Sequence, residues 1–236
     1  MEKITCTPKE HLQDIVDNGI KFDLDAAETA TLLYETISNY KSELADKDFE
    51  SLFGYIQLVL AKDTILSINK IFERNPRNKF NLRSLYAAVK IINDNPHELK
   101  IENRVQLEEK LAIWGLDRKC LIAMTESELT TIVAKTLNDK MPSEDDIKEI
   151  KNIRDKRLAH NESIDEKKIF VPEWTKLDNL IELAKKILGI IGNHYLGTSY
   201  EMNGEYYLSK DAAIPSQSLI KLFKEAGINS SDNENH

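Results

Sequence analysis

From Asp48 to Arg74 the chain contains no proline, and Phe49, Leu52, Phe53, Ile56, Val59, Leu60, Ile68, Ile71 and Phe72 recur at helical spacing along one broad face. A helix over this span is roughly 40 Å long and is the strongest structural signal in the sequence. Its stripe is interrupted by Asp63 and Thr64, which read either as a polar group facing a groove or as a solvated notch at the stripe's edge. Composition agrees with a helical reading: 41% hydrophobic and 31% charged residues, with only 8 Gly and 6 Pro in 236 residues, favour long helices over turn-rich β architecture. That length suffices for one large domain or two small ones with a sizeable core.

Other helices announce themselves by their ends. Thr7-Pro8-Lys9-Glu10 has a cap, a proline at the first helical position and a glutamate at capping-box spacing, opening a short helix to about Asn18. A second starts near Asp25, carries Ala26, Ala30, Leu33, Tyr34 and Ile37, and ends around Ala45. After the break at Asn75-Pro76 another covers Leu82 to Asn93 and stops before Asn95-Pro96. Glu98 to Trp114 is strongly charged and reads as a partly exposed arm, and Thr125-Glu126-Ser127-Glu128 opens a further helix. Pro142-Ser143-Glu144-Asp145-Asp146 places a cap and three acids at a helix start, matching the dipole there. Pro172-Glu173-Trp174 opens a last long helix with Leu177, Leu180, Ile181, Ala184, Ile187 and Leu188 in register, closed by Gly197.

Beyond Gly197, Asn203-Gly204 between aromatic and apolar residues is a hairpin signal, Pro215-Ser216 starts a short helix through Phe223, and the tail after Gly227 is polar. The expected fold class is therefore an all-α bundle with a small C-terminal β-hairpin and a short terminal helix. The expected division is a helical domain over 1–197, with 198–236 packed onto it as hairpin, helix and flexible tail.

Lys and Arg total 32 against 40 Asp and Glu, so a net charge of −8 repels polyanions over most of the surface and any nucleic-acid contact has to be local. Cys6 and Cys120 are far apart and form no CxxC pair, which suggests reduced thiols. The N-terminus has no signal-peptide pattern and no stretch is read as long enough to span a bilayer, so the expected location is the cytoplasm, with no membrane contact. His11, His97, His194 and His236 lack partners at metal-ligand spacing, so no metal or other cofactor is expected, and His194 reads as a partner of a helix C-terminus. No Gly-rich phosphate loop or G-x-S-x-G elbow is present.

The remaining chemistry lies in Arg154-Asp155-Lys156-Arg157-Leu158-Ala159-His160, flanked by Lys148, Lys151, Lys167 and Lys168. Guanidinium forks and ammonium groups hold phosphodiesters, and His is suited to moving a proton near neutral pH. Spacing alone also fits a solvated basic face with a His at a helix end.

This string resembles the signature of the HEPN superfamily: Arg, a polar residue, a short spacer and His on a helix of an all-α bundle. Within it the chain is similar to the abortive-infection subgroup, which carries an R-D/N-K-R-L-A-H-like string ahead of a Trp-containing start of the last helix, the place Trp174 takes. Ile68-Asn69-Lys70-Ile71-Phe72-Glu73 and Asn81-Leu82-Arg83-Ser84-Leu85 resemble further segments of that subgroup, with Lys70 and Glu73 in place of the commoner Arg and Asp. The resemblance spans roughly residues 25 to 197.

It implies a metal-independent endoribonuclease of phage-defence or toxin type in which the ribose 2′-hydroxyl attacks its own phosphate. On that reading His160 transfers the proton, Arg154 neutralises the developing phosphorane, Asp155 orients one of the two, and Arg157, Lys156, Lys151 and Asn161 bind the RNA. It also implies a homodimer in which two signatures face one groove, and it is compatible with an antitoxin partner, which no residue here identifies. The alternative is a non-catalytic binding or dimerisation module. Glu162 stands where adenylylation-controlled relatives have Tyr, so that form of control is not implied.

Overall fold

The computed structural model describes residues 6–74, 82–153, 173–202 and 205–228. Eleven α-helices and one two-residue strand pair account for most of the described residues.

Helix α1 (Pro8–Ile15) starts where the capping box places it: Glu10 N donates to Thr7 Oγ1 at 3.3 Å and Thr7 N to Glu10 Oε2 at 2.8 Å. It does not stop at Asn18. A π-helical turn, Val16–Ile20, carries it directly into α2 (Lys21–Asn39), so Asp25 is interior rather than a start. The apolar stripe explains this continuity, since Val16, Ile20, Leu24 and Ala27 are all fully buried. The wide turn also brings Arg83 against Gly19, where a Cβ would sit 2.3 Å from the Arg83 Cβ.

Tyr40 separates α2 from α3 (Lys41–Asp46), and α4 (Glu50–Ile71) then runs back along α2. On α4, Ile65, Ile68 and Ile71 enter the core, Thr64 is buried with its hydroxyl donating to the Leu60 carbonyl, and Asp63 is exposed. The break in the stripe is thus half back-bonded and half solvated. By length and a mean hydropathy of 1.3, α4 is long and apolar enough to cross a bilayer, contrary to the expectation that no stretch is. Its apolarity has a local cause on the inner face, which packs on α2, α9 and α10.

Helix α5 (Leu85–Asp94) begins at the Ser84 cap, three residues later than expected. Helix α6 (Arg104–Ile113) is not an arm: Leu107 and Leu111 are fully buried, and Glu108, also buried, takes a 2.7 Å hydrogen bond from Arg104 Nε. Arg104 also donates to the Met124 carbonyl at 2.7 Å, just beyond α7 (Arg118–Ala123), a helix the sequence reading passed over. Its charges satisfy one another on the bundle. Helix α8 (Glu126–Lys140) has the full Thr125–Glu128 capping box and packs on α5. After α9 (Glu144–Ile153) and α10 (Trp174–Ile191), a second π-helical turn, Gly192–Leu196, ends at Gly197 with φ of 69°. Tyr200 is pressed so closely on Gly192 that an added Cβ would lie 2.1 Å from a ring carbon.

Strand β1 (Glu201–Met202) pairs antiparallel with β2 (Glu205–Tyr206), two residues a side. This two-residue pair adds no β layer to the helical frame; Asn203-Gly204, and the tail from residue 229, lie outside the described residues. The terminal helix is corrected more sharply. Helix α11 spans Leu208–Glu225 with Pro215 inside it rather than at its start. An interior proline removes one helical hydrogen bond at a cost of about 3 kcal/mol, which packing along α2 offsets. Ser216 Oγ meets Thr36 Oγ1 of α2 at 2.6 Å, and Phe223 closes a small second core with Tyr40 and Phe53, at ring-centroid distances of 4.8 and 5.2 Å.

Candidate active site

Helix α9 leads into the Arg154–His160 string, and its placement follows from its first residues. Ser143 Oγ accepts from Asp146 N at 3.2 Å while Asp146 Oδ2 accepts from Ser143 N at 2.9 Å, a reciprocal cap that also holds the Asp146 carboxyl below its usual range. Ile147 and Ile150 are buried. Two neighbours fix the helix. From α4, Asn69 Nδ2 donates to the Ile150 carbonyl at 3.3 Å and to the Ile65 carbonyl at 2.8 Å. From α10, Lys176 Nζ lies 3.1 Å from Glu149 Oε2. The last turn of α9 is thereby tied to both helices that flank it.

Trp174 opens α10 as expected, and its ring lies 4.1 Å, centroid to centroid, from that of Tyr34 on α2, tilted by 36°. The start of α10 is thus anchored on the same α2–α4 frame that carries α9.

Of the sequence-predicted site residues, Lys151 is described: it is exposed in the last turn of α9, one turn beyond exposed Lys148. Arg154, Asp155, Lys156, Arg157, His160 and Asn161 lie outside the described residues. Two residues that sequence reasoning missed stand beside α9. Asn69 is nearly fully buried, and its signal was a polar side chain between Ile68 and Ile71 on a core-facing stripe. Arg74 follows α4, where a cation just before an Asn-Pro break looked like loop. Its Nη2 donates to Tyr86 Oη at 2.6 Å and to the Pro142 carbonyl at 3.2 Å, and its Cζ sits 4.3 Å from the Tyr86 ring centroid. Burial raises the Tyr86 hydroxyl pKa against the pull of this guanidinium.

Phe72, Arg74, Ile147, Lys148 and Lys151 border a cavity of about 290 Å³ between the end of α4 and α9, with Glu144 and Asp145 at the opposite end of α9. Among the described residues no three His, Cys, Asp or Glu side chains gather in a metal-binding arrangement. His194 stands in the last turn of the second π-helical segment, as its position near a helix end suggests, and is fully buried, its Nδ1 3.1 Å from the Glu102 carbonyl oxygen.

No curated protein and no solved structure gives a significant match to the chain. A family model does match: AbiU2, a HEPN family, over residues 9–211, from the first turn of α1 into α11. With the all-α frame and a match over most of its length, the chain belongs to the AbiU2 family of HEPN abortive-infection proteins.

Proposed function

We propose that this protein is a metal-independent endoribonuclease of abortive-infection type. The observation that carries the reading is the coincidence of family membership with an Arg154-Asp155-x4-His160 string directly after a helix tied down on both sides. His160 accepts the proton of the ribose 2′-hydroxyl as its oxygen attacks the adjacent phosphorus, and Arg154 neutralises the charge that builds on the phosphorane oxygens. The bond from phosphorus to the 5′-oxygen breaks, that oxygen takes a proton from water, and protonated His160 returns its own proton to solvent, so protons balance. The products are a 2′,3′-cyclic phosphate and a 5′-hydroxyl. Asp155 orients His160 or Arg154, and Arg157, Lys156, Lys151 and Asn161 hold the RNA.

A non-catalytic HEPN module is the competing reading, and one comparison separates the two. Purified protein incubated with RNA and excess EDTA is expected to yield fragments ending in cyclic phosphate. Arg154→Ala and His160→Ala should each lower the rate by at least about 100-fold while the circular dichroism spectrum and oligomeric state stay unchanged. Intact RNA with the parent protein, across single- and double-stranded substrates, sinks the nuclease reading.

A further inference from the structure

We propose that the cavity between α4 and α9 is a subsite for one nucleotide of a single-stranded RNA flanking the scissile bond, its phosphate held by Arg74, Lys148 and Lys151. The inference rests on RNA being the substrate class, but it concerns binding and not cleavage. Arg74 is already immobilised by Tyr86 and the Pro142 carbonyl, so little further side-chain freedom is lost when its guanidinium meets an anion. Lys148 and Lys151 are one helical turn apart, both exposed, and neither has an ion-pair partner among the described residues.

The site has a direction. Glu144 and Asp145 make the start of α9 repel a phosphate, partly offset by Arg74, whose Nη1 lies 3.6 Å from Glu144 at that same end, whereas Lys148 and Lys151 lie further along α9 toward Ile153. A strand running along the cavity from the start of α9 toward its C-terminal end follows this gradient. Buried Phe72 and Ile147 give the cavity an apolar floor for a base or ribose, and about 290 Å³ is the scale of a single nucleotide. On a chain of net charge −8, a local excess of cations in a cavity is the kind of place where a polyanion can dock.

The test uses the full chain carrying His160→Ala, which keeps RNA intact, and a fluorescein-labelled single-stranded RNA. Lys148→Gln with Lys151→Gln should weaken binding about tenfold or more and reduce the slope of log affinity against log salt by about 1.4, two contacts on a single strand. Lys148→Arg with Lys151→Arg should keep both quantities near the parent's, showing that charge rather than helix stability is read. Unchanged affinity and slope in the Gln variant overturn the subsite. So does lysine-dependent binding of adenosine monophosphate without any binding of RNA, which makes the cavity a free-nucleotide site. A protein that binds RNA through these lysines yet cuts none keeps the subsite and loses the nuclease reading. Wild-type cleavage whose KM ignores the Gln substitutions does the reverse.

Discussion

Lys185 on α10 lies between Glu28 of α2, at 2.5 Å, and Glu182 of its own helix, at 2.7 Å, with about a tenth of its side chain and of Glu28's exposed. Burial alone pushes its ammonium pKa down, but the hydrogen bonds to Glu182 and Glu28 carry it above its ordinary value. Lys185→Met leaves Glu28 in the core without a counter-charge and should destabilise by about 3–5 kcal/mol, whereas Lys185→Met with Glu28→Gln should recover much of the loss. Urea unfolding of the two variants checks this; equal losses in both mean the pair carries no such penalty. His194 gives a pH-dependent counterpart. Burial lowers its pKa from 6.5, the contact with the Glu102 carbonyl opposes this, and Lys110 adds to the lowering. The unfolded chain therefore binds the proton more readily than the folded one. The contribution of neutral His194 is full above about pH 6.5 and drains as the pH falls. Between about pH 7.5 and pH 5.5 the Tm of the parent should fall more than that of His194→Gln; parallel curves would remove His194 as the cause.

Helices were legible where their ends carry chemistry of their own. Thr7, Thr125 and Ser143 cap α1, α8 and α9 as their sequences indicate, and Trp174 opens α10 at the expected residue. The misread elements share a cause: a local signal was outweighed by a tertiary contact absent from any short window. Pro215 looks like a helix start, but α2 lies alongside and holds Ser216 and Phe223, so α11 extends through the proline. The charges of α6 look like a solvated arm because Arg104 and Glu108 are read singly, while together they form an i, i+4 pair above buried Leu107 and Leu111. The two π turns were invisible for a similar reason. Each contains a glycine pressed by a distant residue, Arg83 on Gly19 and Tyr200 on Gly192, and the Tyr200 hydroxyl also donates to Asp17 Oδ1 at 2.9 Å, joining the first turn to the segment after the second. In the candidate site, the lysines of α9 were legible from the basic run. Asn69 and Arg74 were not, because they approach α9 from beside it in space, with partners 81 and 68 residues away along the chain.

At the scale of the whole molecule, the outer side of α4 is an exposed apolar surface that the described residues do not cover. Leu52, Tyr55, Leu58 and Val59 are 56%, 66%, 47% and 46% exposed, although the same helix supplies core residues on its inner side. Leu52, Tyr55, Val59, Lys62 and Leu66 follow one another at alternating steps of three and four, the spacing of a helix-pairing seam, with Lys62 as its polar member. We propose that the homodimer implied by the family resemblance forms here, through a seam that a twofold axis brings against its own copy. Pairing also sharpens the charge problem. Doubling a chain of net charge −8 raises the overall repulsion of RNA, so binding then depends more on local cationic clusters such as that on α9. Light scattering after gel filtration should give twice the 27.1 kDa chain mass, and Leu52→Glu with Tyr55→Glu should return the monomer with its helical circular dichroism intact. A parent protein of single-chain mass at micromolar concentration excludes this seam as a stable dimer interface. A dimer that survives both substitutions places the interface elsewhere, and substitution-sensitive binding to lipid vesicles by a monomer assigns the stripe to a membrane surface instead, the role that the length and hydropathy of α4 also allow.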